Sequence, residues 1–260
     1  MLLAIDIGNT NLHVGYFEKD DLLTHFCIST SPNRTADEYA WMLRSLSETR
    51  GVDLSRIDGV ILGSVVPSVT NTLRKAITDL TDAPMLTVGP GLKTGFPIRI
   101  DDPAELGADI AATVAATVQA VGYPAIVADV GTATVLSVVD GNGAYCGSSI
   151  LPGIRMSLNA LHNAELLPGI STDGRQIPVL GKSTADSMRS GVLRGQAMSI
   201  CGFAELYRET LQLPKDTPVI LSGGAAEYLL PYLPDHVRHI PLLSLRGLQV
   251  IYRLNERKKR

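Results

Sequence analysis

Apolar residues dominate the first strands that the pattern predicts. Residues 2–17 alternate and run apolar around a break at residues 8–10 (Gly-Asn-Thr), which predicts a strand, a tight turn and a second strand, with residues 17–21 as the next turn. Residues 35–48 repeat apolar positions at helical spacing after Thr35, a suitable N-cap. A buried strand at 59–66, a helix at 68–80 and a short strand at 84–91 follow. The first half is therefore predicted to mix α and β structure.

The pattern restarts at residue 125. Residues 125–153 are apolar runs interrupted by Gly-Thr, Asp-Gly-Asn-Gly and Gly-Ser-Ser, as expected of strands joined by tight turns. Helices are predicted at 154–164 and 183–210, and residues 218–230 (PVILSGGAAEYLL) are similar to the strand and helix that begin at residue 59. We therefore expect an α/β protein of two similar lobes, residues 1–120 and 121–260, with a cleft between them.

The two halves share a short motif with glycine after an acid. Asp129, Gly131, Thr132 and Thr134 repeat the spacing of Asp6, Gly8, Asn9 and Asn11. Successive backbone N–H groups in such a glycine turn can bind phosphate, and nearby carboxylates can hold the cations that offset its charge. Each motif alone is weak evidence and is better explained by an ordinary β-turn. Because the motif occurs twice, we favour phosphate binding.

A third glycine signal lies at residues 221–228 (LSGGAAEY). Here a buried strand is predicted to end at Gly223 and Gly224, where a helix begins. A helix N-terminus attracts anions, but glycine is also common at any turn from strand to helix. This motif alone does not decide between the two.

Composition and charge exclude several classes of protein. A formal net charge of −3 argues against a general nucleic-acid binder, and the basic end of the chain (ERKKR) is interpreted as a solvated tail. Three widely spaced cysteines predict neither a disulfide framework nor a zinc site. No apolar run reaches the roughly 20 residues of a membrane span. We expect a soluble, unprocessed cytoplasmic protein.

Seven motifs in one order carry a resemblance to a known family. They are DIGNTN, GPGLKTGFPIRIDDPAELGAD, DVGTAT, LPGIRMSLNAL, GKSTADSMRSG, SGGAAE and LSLRGLQVI. In this order the chain resembles type III pantothenate kinase, of the superfamily of acetate and sugar kinases, heat-shock ATPases and actin. The resemblance implies two duplicated ribonuclease-H-like lobes, a homodimer, and ATP-dependent phosphorylation of pantothenate to 4'-phosphopantothenate, the first step of coenzyme A biosynthesis.

The resemblance also implies roles for individual residues. The ATP-binding residues would be Asp6, Ile7, Gly8, Asn9, Thr10, Asn11, Leu12, His13 and Thr132. The substrate-binding residues would be Gly107, Ala108, Asp109, Ile110 and Thr184, with Asp109 as the catalytic proton acceptor. Asp129 would hold K⁺ or NH₄⁺, and Asp6 would lie near the Mg²⁺ of the nucleotide.

Two alternatives stay open at the substrate loop. Asp109 precedes a helix-like stretch, so its carboxylate is also explained by interaction with the helix dipole, worth about 0.3 to 1 kcal/mol. Ile110 stands where the family has an arginine that meets the substrate carboxylate, and the substitute cations in sequence are Arg155, Arg189 and Arg194. The alternatives to a pantothenate kinase are therefore a kinase for another small alcohol, or a non-catalytic sensor of nucleotide or pantothenate.

Overall fold

The computed structural model describes residues 1–165 and 177–256, so most of the predicted basic tail lies outside the described residues. Within them the strands are β1 (Leu2–Ile7), β2 (Asn11–Glu18), β3 (Asp21–Ser29), β4 (Gly59–Ser64), β5 (Met85–Thr87), β6 (Ala125–Val130), β7 (Ala133–Val139), β8 (Tyr145–Pro152), β9 (Val219–Ser222) and β10 (Val237–His239). The helices are α1 (Ala36–Thr49), α2 (Pro67–Thr78), α3 (Ala108–Val121), α4 (Ile154–Glu165), α5 (Thr184–Arg189), α6 (Gly195–Thr210) and α7 (Leu243–Asn255).

The strands form two sheets with the same order. The first sheet runs β3-β2-β1-β4-β5, and the second runs β8-β7-β6-β9-β10. In each sheet the first three strands of the chain pair antiparallel, and the last two add in parallel beside the first strand. The repeated order confirms the predicted α/β fold with two duplicated halves.

The chain divides into two compact units. One unit contains Met1–Phe96, Asp102–Ala116 and Ser244–Arg260, and the other contains Pro97–Asp101 and Thr117–Leu243. Most of the first half of the chain falls in the first unit, but α7 joins it from the far end of the sequence. The lobes at 1–120 and 121–260 stay a prediction.

Local signals explain where several helices begin. The Thr35 hydroxyl accepts from the backbone N–H of Glu38, and the Glu38 carboxylate accepts from the backbone N–H of Thr35, which makes a capping box at the start of α1. Pro67 stands at the first position of α2, where its missing N–H costs no helical hydrogen bond. Both helix starts were predicted within one residue.

Two helical predictions need correction. The helix expected after Gly223 and Gly224 is replaced by two 3₁₀ turns, Ala226–Tyr228 and Leu230–Tyr232, because Pro231 cannot continue an α-helix. The helix expected over 183–210 is present, but a π-helical segment, Ser190–Arg194, separates α5 from α6. Apolar spacing did not indicate this π segment.

The first sheet packs differently on its two faces. On one face, apolar side chains of β1, β2 and β4 form a core with Tyr39 and Leu43 of α1 and Leu73 and Ile77 of α2. On the other face, glycines of the strands lie under large side chains of α7: Gly15 under Leu245, Gly59 under Tyr252 and Gly63 under Leu248. A Cβ at Gly63 would lie 2.9 Å from a Leu248 methyl carbon.

The packing of α7 on this glycine-lined face stabilises the protein, although glycine has a poor strand propensity. Each strand glycine costs about 0.5 to 1 kcal/mol relative to alanine. Leu245 and Leu248 are fully buried, and burying one leucine side chain contributes about 1.5 to 3 kcal/mol. The packing of α7 therefore outweighs the glycine cost.

Helix α7 also crosses α3 at close range. A Cβ on Gly247 would overlap the backbone carbonyl of Ala112, so only glycine fits at this crossing. In the second unit, α4, α5 and α6 cover their sheet with a separate apolar core that includes Leu158, Met188 and Ile200.

We predict that Gly247→Ala destabilises the protein by about 1 to 3 kcal/mol, because the added methyl group overlaps backbone that cannot move aside as a flexible side chain would. Gly202→Ala is the matched control, since Gly202 is exposed in the middle of α6 and, apart from the backbone of its own helix, nothing lies within 4 Å of an added Cβ. The control should gain up to about 1 kcal/mol of helix propensity. Urea unfolding of both variants measures the difference, and equal effects would refute the close crossing.

Candidate active site

Asp6 lies near the end of β1, on the face that α7 covers. It pairs with His13 of β2 and with Gly63 of β4, so these three residues share one face of the sheet. Ile5 and Ile7, its neighbours in sequence, point to the opposite face and are fully buried in the core. Strand alternation therefore places a carboxylate on the α7 face between two core isoleucines.

The turn after β1 is fixed by hydrogen bonds. The Gly8 N–H donates to the Asn11 carbonyl at 3.0 Å, and the Thr30 N–H donates to the Thr10 carbonyl at 2.8 Å. The Thr30 hydroxyl donates to the Gly8 carbonyl at 2.7 Å. The end of β3 therefore holds the predicted phosphate turn in one conformation.

The eight residues around this turn, Asp6 to His13, do not all present side chains to a ligand. Asn9 and Asn11 are exposed, and Gly8, Thr10 and His13 are half-buried. Ile7 and Leu12 belong to the apolar core, so their only groups suited to a nucleotide are in the backbone. Burial lowers the pKa of His13, which favours the neutral imidazole beside Asp6.

Helix α3 brings Asp109 close enough to Asp6 for the two carboxylate charges to interact. Asp109 lies in the first turn of α3, three residues before the crossing at Ala112, and its Oδ1 accepts from the Ile110 N–H at 2.8 Å. Gly107 leaves room for this carboxylate, because a Cβ there would lie 2.5 Å from Asp109 Oδ1. Of the predicted substrate loop, Ala108 is buried and Ile110 is half-buried.

Ser244 is a site residue that the sequence prediction missed. It lies in the first turn of α7, three residues before Gly247, and its side chain hydrogen-bonds to the Asp6 carboxylate. The crossing of α3 and α7 therefore places Asp109 and Ser244, each one turn before it, close to Asp6. The only sequence signal for this arrangement was the motif LSLRGLQVI, which contains both Ser244 and Gly247.

The electrostatics of Asp6 depend on burial and on Asp109. The pKa of Asp6 is raised from 3.8 to about 6 by three effects together: burial raises it most, the Ser244 hydrogen bond lowers it, and the negative charge of Asp109 adds a smaller rise. Burial is the largest of the three causes, although the side chain keeps part of its solvent exposure. Ionised Asp6 is therefore destabilised here, and a cation would stabilise it.

The second unit repeats this geometry around Asp129. Asp129 also lies one residue before the end of the first strand of its sheet, and it pairs with Ser222 of β9. The Gly131 N–H donates to the Ala133 carbonyl at 2.9 Å, as Gly8 does to Asn11. Gly223, at φ 98°, lies against Asp129, where a Cβ would overlap the carboxylate and the backbone of Val130.

The exposed turn Gly131–Thr132 contacts the start of α4. The Gly153 N–H donates to the Thr132 carbonyl at 3.1 Å, and a Cβ at Gly153 would overlap the backbone carbonyls of both turn residues. Thr184, the other threonine predicted to bind a ligand, is exposed at the first position of α5. The structure therefore presents Thr132 and Thr184 at the surface of the second unit.

The three candidate cations differ in their surroundings. Arg189 pairs with Asp186 at 3.3 Å. Arg194 donates to the Ile177 carbonyl at 2.6 Å and stacks 4.6 Å above the ring of Tyr232. Arg155 is exposed near the start of α4.

Within residues 1–165 and 177–256, no three His, Cys, Asp or Glu side chains are grouped to enclose a metal ion. The carboxylate of Asp6 would therefore supply only part of a coordination shell. Mg²⁺ is commonly bound in this way, by one or two carboxylates together with substrate phosphates and water. The donor set fits a nucleotide-associated Mg²⁺ better than a metal held by protein alone.

We predict that Asp6→Asn stabilises the ligand-free protein at pH 8 by roughly 1 to 3 kcal/mol. Because the folded-state pKa is raised, the stability that Asp6 contributes is complete below pH 3.8 and is lost as the pH rises through about 6. An amide does not ionise, so the advantage of the variant should shrink towards pH 4. Urea unfolding at both pH values, with the exposed Asp82→Asn as control, measures it. A pH-independent difference would contradict the prediction.

Solved structures share the fold at low sequence identity. A Campylobacter jejuni protein described as a conserved putative Baf family transcriptional activator aligns with a TM-score of 0.59 and 19% identity, covering 97% of this chain and 98% of its own. Component A of (R)-2-hydroxyglutaryl-CoA dehydratase from Acidaminococcus fermentans aligns with a TM-score of 0.55 and 12% identity, covering 98% and 99%. At these identities the likeness supports the fold alone.

Sequence comparison identifies the family. The model of type III pantothenate kinase matches residues 2–206. Type III pantothenate kinase from Moorella thermoacetica is 38% identical over 256 residues, covering 98% of this chain and 100% of the relative. The protein of the same name from Streptomyces avermitilis is 40% identical over 262 residues, covering 98% of each chain. The chain belongs to the type III pantothenate kinase family.

Proposed function

We propose that the protein is an ATP-dependent kinase that converts pantothenate to 4'-phosphopantothenate, the first step of coenzyme A biosynthesis. The observation that carries this proposal is the pair of carboxylates, Asp6 and Asp109, that α3 and α7 bring together beside the glycine turn of β1. Family membership supports both the phosphoryl transfer and the substrate. The proposal includes a cytoplasmic homodimer. No helix in the described part of the chain is long and apolar enough to cross a membrane.

Asp109 is the proposed catalytic residue. The pantothenate hydroxyl oxygen forms a bond to the γ-phosphorus, the bond from that phosphorus to the β–γ bridging oxygen breaks, and ADP leaves with the electron pair. The hydroxyl proton passes to Asp109. Gly107 leaves space for this carboxylate and the Ile110 N–H orients it at 2.8 Å. In such transfers positioning and charge neutralisation matter more than the base itself.

The ATP phosphates are proposed to bind the backbone of the segment from Asp6 to His13 and Thr132. Thr30 holds the first turn and Gly153 holds the second, so both are fixed before a ligand binds. Fixed backbone N–H groups in glycine turns suit anionic oxygens. Asp6 would hold the Mg²⁺ of the nucleotide, which offsets phosphate charge during transfer.

Asp129 is the proposed ligand of a monovalent cation, K⁺ or NH₄⁺. A carboxylate that faces a polyanion is repelled unless a cation lies between them. Gly223 approaches the Asp129 carboxylate closely and also lies against the Val130 carbonyl. That carbonyl accepts from the Ala225 N–H at 3.0 Å and keeps a second lone pair. Carboxylate and carbonyl oxygens together are a suitable donor set for such an ion.

The pantothenate pocket is proposed to contain Gly107, Ala108, Ile110 and Thr184 besides Asp109. Ile110 cannot neutralise a substrate carboxylate, and Arg189 and Arg194 already bind groups of the second unit. Exposed Arg155 is therefore the proposed partner of that carboxylate.

The alternatives are a kinase for another small alcohol and a non-catalytic sensor, and Ile110 is the observation behind both. Relatives that match this chain over nearly its full length and are named type III pantothenate kinase do not favour them. ADP release measured with pantothenate and with a panel of other small primary alcohols separates the three. Turnover that is fastest with pantothenate supports the proposal, and turnover with another alcohol or with none refutes it.

We predict that Asp109→Asn lowers kcat by about 100-fold to 10,000-fold, the usual contribution of a general base. The KM for ATP should change by less than about threefold, since Asp109 is assigned to the alcohol and not to the nucleotide. Asp101→Asn, an exposed neighbour in sequence, is the control and should retain wild-type kcat. Loss of ATP binding together with turnover would instead make Asp109 a structural residue.

We predict that turnover depends on a monovalent cation and that Asp129→Ala removes this dependence with most of the activity. The physical reason is the repulsion between Asp129 and phosphate that the cation relieves. Initial rates are compared in potassium, ammonium, sodium and tetramethylammonium salts at equal ionic strength. Asp235→Ala, at an exposed loop of the same unit, should keep the wild-type ion response. Equal wild-type rates in all four salts would count against the assignment.

A further inference from the structure

Gln196 is a buried glutamine whose side-chain amide is hydrogen-bonded through both its oxygen and its nitrogen. Its Oε1 accepts from the Thr134 hydroxyl at 3.1 Å, and its Nε2 donates to the Pro152 carbonyl. A proline carbonyl can only accept, so the amide has one possible orientation. Gln196 is 8% exposed and Thr134 is fully buried. Because a buried polar group without a partner costs about 1 to 3 kcal/mol, both bonds constrain the structure.

The helix that carries Gln196 is irregular at this point. Gln196 is the second residue of α6, directly after the π-helical segment Ser190–Arg194. A π-helix hydrogen-bonds from i to i+5 and so adds a residue to the turn, which changes the face on which all later residues lie. The irregularity thereby contributes to the direction in which Gln196 points.

Both partners of Gln196 adjoin the Gly131–Thr132 turn. Thr134 is the second residue of β7, two positions after Thr132. Pro152 ends β8 and pairs with Ala133, and the next residue, Gly153, donates its N–H to the Thr132 carbonyl. One amide therefore joins β7, the strand that follows this turn, to the end of β8, next to the glycine that supports the turn.

We infer that Gln196 is a positioning residue for nucleotide binding. It holds β7 and the end of β8 at a fixed separation, so that the Gly131–Thr132 turn keeps the conformation that receives phosphate. Gln196 acts through Thr134 and Pro152 and does not itself touch the ligand. This inference rests on the proposed function only in taking ATP or ADP as the ligand of that turn.

Gln196→Met tests the inference, since methionine keeps the length of the side chain and removes both hydrogen bonds. Loss of one or two neutral hydrogen bonds corresponds to roughly a 3-fold to 30-fold weaker binding of Mg-ADP. At saturating ATP, kcat should stay within about threefold of wild type, because the chemical groups are unchanged. Calorimetric titration with Mg-ADP and initial-rate kinetics measure the two effects.

Gln249→Met is the matched control. Gln249 is a second buried glutamine, 5% exposed, and its amide donates to the Lys19 carbonyl and the Asp20 carboxylate. Both variants lose buried hydrogen bonds and both should lower the melting temperature. Only Gln196→Met should weaken Mg-ADP binding well below the melting temperature.

A double variant provides a second test. Thr134→Val removes one partner, so the double variant with Gln196→Met should bind Mg-ADP no more weakly than about the poorer single variant. Additive losses in the double variant, or equal dissociation constants for wild type and Gln196→Met, would overturn the positioning role. Mg-ADP binding without turnover of pantothenate would refute the proposed function. The comparison of Mg-ADP affinities between wild type and Gln196→Met would still test the positioning role of Gln196.

Discussion

The packing of α7 on glycines of the first sheet is the constraint on which the candidate site depends. Gly15, Gly59 and Gly63 let the helix approach the strands, and Gly247 lets it approach α3. Side chains at any of these positions would have to displace large buried groups or backbone. Because the last helix must dock in this way, Ser244 reaches Asp6 and the first turn of α3 brings Asp109 to the same place.

The buried charge of Asp6 destabilises the ligand-free protein, and apolar packing on the other face of the sheet stabilises the strand that carries it. Asp6 is a partly buried acid with a second carboxylate near it, and burial is the main reason that its pKa rises. Apolar contacts on the opposite face of β1, with α1 and α2, stabilise the strand that holds it. Unfavourable negative charge in the ligand-free protein is what a cation site would contain, since a bound cation then relieves it.

Local and repeated features of the fold could be predicted from the sequence, but close tertiary contacts could not. The hairpins and the start of α1 follow from alternation and from Thr35, because these signals act over a few residues. The duplication was visible because Asp6 and Asp129 are followed by glycine at the same spacing. Ser244 and Gln196 were missed because their partners lie far away in sequence, and neither belongs to a periodic pattern.

The predicted site residues show the same contrast between local sequence signals and tertiary structure. The side chains of Ile7 and Leu12 were included because they lie in a motif, yet the structure places both in the core. Motif resemblance selects a stretch of backbone, whereas strand alternation decides which of its side chains face a ligand. Asp109 required both kinds of information, since its motif indicated a role and only the fold places it beside Asp6.

The two halves use one backbone design and support it with different side chains. In each half an acid lies one residue before the end of the first strand, and a glycine N–H closes the following turn. The first turn is held by Thr30, directly after β3. The second is held by Gly153, directly before α4, and the strands beside it are joined by Gln196 of α6. The two halves therefore share the strand geometry that presents the backbone proposed to bind phosphate, while different groups hold each turn.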